Sequence, residues 1–289
     1  MEDKKEKLPS TRIQWFPGHM TKALREIESD IKNVDLIFYC LDARAPISCL
    51  NPKLHEIAKN KKILYVLTKS DLIEKKDLDR YISYIKNNFG NVTFINSVET
   101  NSSKILYKKT LELLDEKIKA KKEKGIDLII RAMVVGVPNV GKSTLINNFC
   151  KKAKTQTGDR PGVTKGKQWV AVDKNFLLLD TPGTLWPKFE NDKVARNLAY
   201  IGSIKDNVLD LNDLAFNFIQ DIIAIDKTII ENRYNIVVKE NEETIDVFDA
   251  ICESRGCKIK NNELDYDRCA ILILDDFRKN RLGKIALDR

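Results

Sequence analysis

Apolar residues follow two different rhythms along this chain. In the first two thirds, short continuous apolar runs are bounded by charged or turn-forming residues, with helical stretches between most of them. Such runs are typical of strands that are buried on both faces of a parallel sheet. They predict parallel strands at residues 35–42, 62–67, 92–95, 128–135 and 176–179, and a sixth, antiparallel strand at 168–172. Strands that alternate with helices indicate βαβ units and an α/β fold.

The rhythm changes after residue 187, where strand patterns nearly stop. Apolar residues recur at helical spacing in three later segments, residues 211–225, 244–255 and 265–280. Ahead of the first strand, a short aromatic stretch at residues 13–20 leads into a helical pattern at 21–33. The chain of 289 residues is long enough for two domains. We therefore predict an α/β domain followed by a small helical domain.

Composition and charge narrow the class of protein. The longest apolar runs are far too short to span a bilayer, and the charged amino terminus lacks the apolar core of a secretory signal, so we expect a cytoplasmic protein with no membrane partner. Six scattered cysteines without a CxxC pair predict free buried thiols. The net charge of +8 favours a polyanionic partner such as RNA, although a composition rich in Lys, Asn and Ile also arises from an AT-rich genome.

A phosphate-binding signature occupies residues 136–144, which read GVPNVGKST. It directly follows an apolar run and precedes a helical segment, the order that a P-loop requires. Lys142 is expected to reach the β- and γ-phosphates, and the Ser143 hydroxyl to bind Mg²⁺. The loop residues expected to contact the nucleotide are Asn139, Val140, Gly141, Lys142, Ser143 and Thr144.

A second phosphate-side motif, DTPG, stands at residues 180–183, where another apolar strand ends. Asp180 is expected to hold Mg²⁺ through water, and the Gly183 amide to sense the γ-phosphate. Between the two motifs, Thr164 in the sequence PGVT offers a hydroxyl that would close over Mg²⁺ in the triphosphate state. An ordinary loop threonine is the alternative interpretation of Thr164.

A guanine-nucleotide switch normally carries its base-reading [NT]KxD motif after DxxG, but here the matching sequence lies upstream of the P-loop. An apolar strand ends in Thr68, Lys69, Ser70 and Asp71. The Asp71 carboxylate accepts both N–H donors of the guanine edge, a pairing that adenine cannot supply, so the predicted substrate is GTP. Asn96 and Ser97, at the end of the next strand, fit a second base-contacting motif or a plain strand end.

With this order of motifs the chain resembles the circularly permuted GTPases, and within them the ribosome biogenesis GTPase A family. The resemblance covers nearly the whole chain, through WFPGHM at 15–20, DAR at 42–44, TKSD at 68–71, GVPNVGKST at 136–144, PGVT at 161–164, DTPGTLWP at 180–187, DFR at 276–278 and LGK at 282–284. It implies a segment with the PGHM motif at residues 1–25 and a permuted P-loop GTPase domain at 26–188, a mostly parallel sheet with helices on both faces. A small α-helical domain that binds ribosomal RNA and protein would follow at 189–289.

The chain departs from the pattern at two positions. Thr68 stands where the family usually has Asn, which keeps the discriminating Asp71 but removes a side-chain amide. Thr184 follows DTPG where a typical switch GTPase has the glutamine that orients water, and its side chain is too short for that work. The resemblance points to His19 instead as the residue that positions water. Independently, the Pro-Gly pair before His19 favours a turn that presents its side chain. A histidine packed under Trp15 or capping the next helix is the alternative.

Two further residues complete the expected site inventory. Asn139 resembles the residue that binds K⁺ in potassium-activated GTPases, or it makes only hydrogen bonds within the loop. The other histidine, His55, is expected on the surface of a helix. Lys142, Thr164 and His19 are thus the predicted catalytic residues, with Mg²⁺ and K⁺ as the expected cations.

The resemblance implies a monomeric GTPase that hydrolyses GTP on the assembling large ribosomal subunit, promotes a late maturation step and leaves after hydrolysis. In a permuted chain the helical domain directly continues the DxxG switch, so loss of the γ-phosphate would bias that domain. Cationic residues suited to RNA phosphates in its sequence are Arg255, Lys258, Lys260, Arg278, Lys279, Arg281 and Lys284. The rival hypothesis is a GTP-gated RNA-binding scaffold whose slow hydrolysis is incidental.

Overall fold

A computed structural model of the chain describes residues 18–96, 102–154, 169–189 and 191–289, and side chains in these ranges apart from 18–19 and 150–154. The described residues form two compact units. The sheet unit holds residues up to Trp186, together with Ile201–Ser203 and Gly283–Arg289. The helical unit holds Pro187–Tyr200 and Ile204–Leu282.

The sheet unit is built on one six-stranded sheet. Its strands are β1 (Leu36–Asp42), β2 (Lys62–Thr68), β3 (Val92–Phe94), β4 (Ile130–Val135), β5 (Trp169–Asp173) and β6 (Phe176–Asp180). In space they run in the order β3-β2-β1-β4-β6-β5. All neighbours pair in parallel except β5, which pairs antiparallel with β6. The predicted fold class, the six strands and the antiparallel edge strand are confirmed.

Among the described residues, four helices connect these strands, and a fifth, the first in the chain, precedes β1. They are α1 (Gly18–Asp30), α2 (Pro52–Ala58), α3 (Lys75–Phe89), α4 (Ser102–Lys122) and α5 (Lys142–Lys154). Helix α2 begins at Pro52, because the Asn51 side chain accepts hydrogen bonds from the amides of Lys53 and Leu54 and Pro52 fits the first turn. Helix α5 begins inside the P-loop signature, so its amino terminus points to the end of β4.

Burial explains why the strands read as continuous apolar runs. All seven residues of β1 are buried, because this strand is central in the sheet. Phe38 stacks on Phe149 with ring centroids 6.0 Å apart, and Phe176 lies against both rings. Each fully buried aromatic or aliphatic side chain contributes about 1.5–3 kcal/mol, so this cluster strongly favours the observed register.

The helical unit contains α6 (Asp192–Tyr200), α7 (Leu211–Asp226), α8 (Thr228–Tyr234), α9 (Thr244–Ser254) and α10 (Tyr266–Arg278). Three of these match the predicted helical segments, whereas α6 and α8 were not predicted individually. Ala270, Ile273, Leu274 and Phe277, which recur at helical spacing on α10, are buried, and the Phe277 ring lies 5.1 Å from that of Phe218 on α7. Buried Asp276 is paired with Arg233, at 2.8 Å.

Two smaller predictions have different outcomes. Five cysteines, Cys40, Cys49, Cys252, Cys257 and Cys269, are free and buried as predicted. His55 is not a surface residue: it is half-buried, and its Nε2 lies 2.6 Å from the Tyr65 hydroxyl. Burial lowers the pKa of His55. The helical pattern around it was too weak to show that α2 lies over the aromatic side chains of β1 and β2.

Within the described ranges, no helix combines the length and apolar character needed to cross a bilayer.

Candidate nucleotide site

The predicted motifs meet at one edge of the sheet. Strands β1, β2, β3, β4 and β6 are mutually parallel, so their carboxyl ends lie along the same edge. TKSD follows β2, the P-loop follows β4, and DTPG begins at the last residue of β6. Ligands of open α/β sheets bind at this edge. The sheet thus brings together motifs that the permuted sequence separates by more than a hundred residues.

A cavity of about 820 Å³ lies at the phosphate end of this edge. The P-loop contributes Pro138, Asn139, Lys142 and Ser143 to its wall, and the DTPG motif contributes Asp180 to Gly183 with Leu179. Helix α1 supplies the remaining wall through Glu26, Ile27 and Asp30. The cavity is large enough for a ligand of nucleotide size, and its lining gathers the phosphate motifs without the base motif.

Lys142 is held inside the P-loop. Its Nζ donates to the carbonyls of Gly136, at 3.1 Å, and Val137, at 2.8 Å. Burial lowers the pKa of Lys142, and the neighbouring Cys40 and Asp180 oppose that shift. Position 136 requires glycine, because its φ is +148° and a Cβ would come within 2.5 Å of the Cys40 carbonyl oxygen. The loop therefore presents its lysine at the cavity wall in a conformation that its glycine permits.

The residues present fit a Mg²⁺ ion. Ser143 and Asp180 line the same cavity, and a hydroxyl plus a carboxylate, completed by water and phosphate oxygens, is the donor set that Mg²⁺ takes in nucleotide sites. Burial raises the pKa of Asp180, while Lys142 lowers it. A Mg²⁺ ion held by these residues would neutralise phosphate charge.

Gly183 lies directly against the P-loop. A Cβ at this position would come within 2.7 Å of Pro138 Cα and 3.0 Å of Lys142 Nζ. Only glycine allows the DTPG backbone to approach this closely. The next residue, Thr184, donates its amide to the Gly136 carbonyl at 3.2 Å. The switch motif and the P-loop are thus in backbone contact.

The base-reading motif is tied to the P-loop by two side chains. The buried Thr68 hydroxyl donates to the Val140 carbonyl at 2.6 Å. Lys69, in the left-handed conformation with φ of 54°, donates to the Asn139 carbonyl at 2.9 Å. Thr68 therefore keeps a link to the P-loop despite replacing the usual asparagine. Asp71 is exposed in the following 3₁₀ turn, where a base could reach it.

A buried ion network that includes Asp42 and Arg44 holds the Lys69 side chain in place. Asp42, at the end of β1, accepts two hydrogen bonds from the Arg44 guanidinium and a third from Lys69 Nζ at 2.7 Å. Although burial raises the pKa of Asp42, Arg44 and Lys69 hold that pKa well below its usual range. Asp42 therefore stays ionised and fixes the direction of the Lys69 side chain.

Other predicted residues need separate mention. Thr164 and Ser97 lie outside the described residues. Asn96 follows the end of β3 and its carbonyl accepts a hydrogen bond from Ser102. The Asn139 side chain, with φ of 60° on its backbone, donates to the Gly202 carbonyl. The K⁺ role of Asn139 stays a prediction.

The expectation of a turn at His19 is wrong, because His19 stands in the first turn of α1. A proline just before the first helical residue favours a helix start as well as a turn, and the sequence could not separate the two. The helix that carries His19 nevertheless contributes to the cavity wall. Glu26 of that wall lies seven residues later, which is roughly 10 Å along the helix axis.

Thr184 is fully buried, and its hydroxyl has no hydrogen-bond partner among the described residues. It faces the protein interior, which agrees with the expectation that it does not orient water. Sequence reasoning missed other contributors to the site: the wall residues of α1, the supporting role of Asp42 and Arg44, and the contact of Gly202 with Asn139. The DAR motif was a visible signal for the role of Asp42 and Arg44. Nothing in the sequence indicated the contact of Gly202 with Asn139.

The chain is similar to known proteins over most of its length. Residues 131–248 match the family model described as a 50S ribosome-binding GTPase. Ribosome biogenesis GTPase A of Bacillus pumilus is 39% identical over 96% of this chain and 98% of its own length. The Bacillus cereus protein of the same name is 40% identical, over 96% of this chain and 93% of that relative. The crystal structure of GNP-bound YlqF from T. maritima has the same fold, with a TM-score of 0.65 at 24% identity, covering 93% of this chain and 98% of that one. The chain therefore belongs to the ribosome biogenesis GTPase A family, whose members hydrolyse GTP in ribosome biogenesis.

Proposed function

We propose that this GTPase works on the assembling large (50S) ribosomal subunit in the cytoplasm, where it promotes a late maturation step and leaves as a monomer after hydrolysis. The observation that carries this proposal is the match of residues 131–248 to a family described as 50S ribosome-binding. These residues include the P-loop, the switch motif and most of α7 to α9. The net charge of +8 supports a partner rich in phosphate.

In this proposal the nucleotide lies across the carboxyl edge of the sheet. Asp71 reads guanine, assisted by Thr68, Lys69, Ser70, Asn96 and Ser97. Lys142 neutralises the β- and γ-phosphates, while Ser143, Asp180 and Thr164 hold Mg²⁺. The hydrogen bonds of Thr68 and Lys69 to the P-loop support this arrangement, because they fix the base motif relative to the phosphate motif.

The switch follows from the contact of Gly183 with the P-loop. A γ-phosphate between Lys142 and the Gly183 amide would hold the DTPG backbone in place, and its loss would release that backbone. The helical unit begins only four residues later in the chain, at Pro187. Hydrolysis would thus change the constraint at the start of the segment proposed to bind RNA.

Ion pairs and hydrogen bonds within the chain guide which cationic residues we propose for RNA contact. The Arg278 guanidinium already has partners within the helical unit, because it pairs with Asp206 at 2.7 Å and donates to two carbonyls of α6. Arg281 pairs with Asp276 at 3.0 Å, and Lys284 belongs to the sheet unit. Lys258 and Lys260 lie in the turn between α9 and α10, beside exposed Ile259. We place the main phosphate contact at these two lysines.

Sedimentation tests the partner. The protein loaded with a non-hydrolysable GTP analogue should sediment with large-subunit precursors, and with GDP it should not. The double variant Lys258→Ala/Lys260→Ala should weaken this binding, whereas Lys75→Ala/Lys76→Ala, an equal loss of charge at the start of α3, should not. Each lost phosphate contact should reduce, by about one, the slope of the logarithm of the binding constant against the logarithm of the salt concentration. Equal binding to small subunits, or binding that ignores the nucleotide, would reject the proposal.

Turnover separates the two function hypotheses. Large subunits or their precursors should stimulate GTP hydrolysis if hydrolysis is the release step. Full binding without any stimulation would favour the RNA-binding scaffold with incidental hydrolysis.

A further inference from the structure

A tripeptide outside every nucleotide motif touches the P-loop. Ile201–Ser203 follows α6 and precedes α7, yet it belongs to the sheet unit while its neighbours in the chain belong to the helical unit. Ser203 is buried, and its hydroxyl donates to the Pro138 carbonyl at 2.7 Å. The Gly202 carbonyl accepts a hydrogen bond from the Asn139 side chain. Two consecutive residues thus bind two consecutive residues of the P-loop.

We infer that Gly202 and Ser203 are positioning residues for GTP hydrolysis, which hold Pro138 and Asn139 in the conformation that accepts the γ-phosphate. Pro138 and Asn139 are called the P-loop crest below. Neither positioning residue lines the cavity, so both act through the crest rather than on the nucleotide.

The contacts of the crest explain why its position matters for the γ-phosphate. Pro138 is in contact with Gly183 on the switch side and hydrogen-bonded to Ser203. Asn139 is held by Gly202 through its side chain and by Lys69 through its carbonyl. The crest shares the cavity wall with Asp180 and Gly183, where the third phosphate is expected. The β-phosphate is expected to lie at the start of α5, a separate element, where Ser143 stands beside Lys142, whose Nζ is expected to reach both the β- and γ-phosphates.

Removing the Ser203 hydroxyl should therefore affect the triphosphate more than the diphosphate. A displaced crest would move the wall next to Gly183 and leave the start of α5 in place. A role limited to stability would instead lower the melting temperature or weaken both nucleotides by the same factor. The ratio of the two dissociation constants separates a positioning role from a stabilising one.

The experiment compares Ser203→Ala with Ser203→Thr, which keeps the hydroxyl, and with Ser83→Ala. Ser83 is a matched control because its hydroxyl also donates to a backbone carbonyl, that of Asp79, on the exposed side of α3. Dissociation constants for GDP and for a non-hydrolysable GTP analogue are measured with fluorescent nucleotides, and the single-turnover rate is measured with GTP.

We expect Ser203→Ala to weaken the GTP analogue about five- to tenfold, the effect of one lost hydrogen bond, with GDP affinity within twofold of the wild type. Single-turnover hydrolysis should slow by at least the same factor, and Ser203→Thr should lie closer to the wild type than Ser203→Ala. Equal factors for both nucleotides, or no change in either, would overturn the inference.

If Ser203→Ala shows no folded-state melting transition, Ser203→Cys replaces it, since a thiol fills a similar volume and donates only weakly. A selective loss of affinity for the GTP analogue then supports the inference, and equal factors or no change for both nucleotides overturns it. The inference rests on GTP hydrolysis and not on the proposed ribosomal partner, so its failure leaves the sedimentation test unaffected.

Discussion

At the scale of single residues, Asp71 is the residue proposed to decide which base the site accepts. It stands exposed after the left-handed Lys69, while Thr68 beside it is buried and bound to the P-loop. The motif therefore divides into a structural part and a part free to meet a ligand. The Asp71 carboxylate would accept hydrogen bonds from two N–H donors on guanine. A side-chain amide at the same place would instead be matched to xanthine, which presents a carbonyl and an N–H.

Asp71→Asn should weaken GTP by roughly 10- to 100-fold, because a mismatched polar pair costs about 1–3 kcal/mol, and should strengthen xanthosine triphosphate. Equilibrium binding of both nucleotides checks this. Asp79→Asn, the same change at an exposed position of α3, serves as the control and should alter neither affinity. Unchanged GTP affinity in Asp71→Asn would remove the guanine assignment.

The sequence predicted residues with a motif and missed residues that act only through contacts. Lys142, Ser143 and Asp180 were predicted from local signatures, and the sheet places all three at one cavity. Ser203 could not be found in this way, because a serine after an apolar helix is typical of any turn. Its partner lies 65 positions away, and only the fold creates that pair.

At the scale of elements, strands were easier to predict than the segments that cross between units. Strands β1, β2 and β6 begin and end within one residue of the predicted limits, because continuous apolar runs end sharply at charged or turn residues. The segment Gly283–Arg289, which sequence reasoning assigned to the helical domain, groups with the sheet unit instead. Its seven residues have no periodicity that could reveal where they pack.

This segment is held by specific contacts. Ile285, Ala286 and Leu287 are buried, and the Leu287 amide donates to the Arg44 carbonyl at 2.8 Å. The Asp288 carboxylate accepts hydrogen bonds from the amides of Ile47 and Ser48 and from the Ser48 hydroxyl. The segment thereby fixes the loop after β1, the loop whose Arg44 helps to hold Asp42 and Lys69.

Asp288→Ala should lower the free energy of unfolding of the sheet unit by about 1.5–3 kcal/mol, the contribution of hydrogen bonds to a charged group that leave donors unpaired when lost. Urea unfolding followed by tryptophan fluorescence checks this, since Trp169 and Trp186 both lie in the sheet unit. Asp79→Ala is the control and should stay within about 0.5 kcal/mol of the wild type. An equally stable Asp288→Ala protein would show that burial of Ile285 to Leu287 alone holds the segment.

At the scale of the whole molecule, the proposed coupling of hydrolysis to ribosome binding requires a group that orients the attacking water. Thr184 is buried and cannot supply it. Helix α1, which carries His19 in its first turn, lines the cavity farther along, with Glu26 roughly 10 Å beyond His19 on the helix axis. A shift of α1 on the subunit is therefore a physically reasonable way to bring the imidazole to the γ-phosphate.

We predict that His19→Ala slows ribosome-stimulated hydrolysis by about tenfold or more, up to the roughly 10²- to 10⁴-fold effect of a positioned acid–base side chain, while nucleotide affinity changes little. Affinity should persist because Lys142 and Asp71, not His19, are the residues proposed to bind the nucleotide. Basal hydrolysis without subunits should change less, since α1 would not yet be shifted, and the variant should remain on precursor particles in the GTP state. Single-turnover assays with and without large subunits measure both rates, and Lys22→Ala, an exposed change on the same helix, controls for effects on α1 itself. Stimulated turnover within twofold of the wild type would reject His19 as the water-positioning residue.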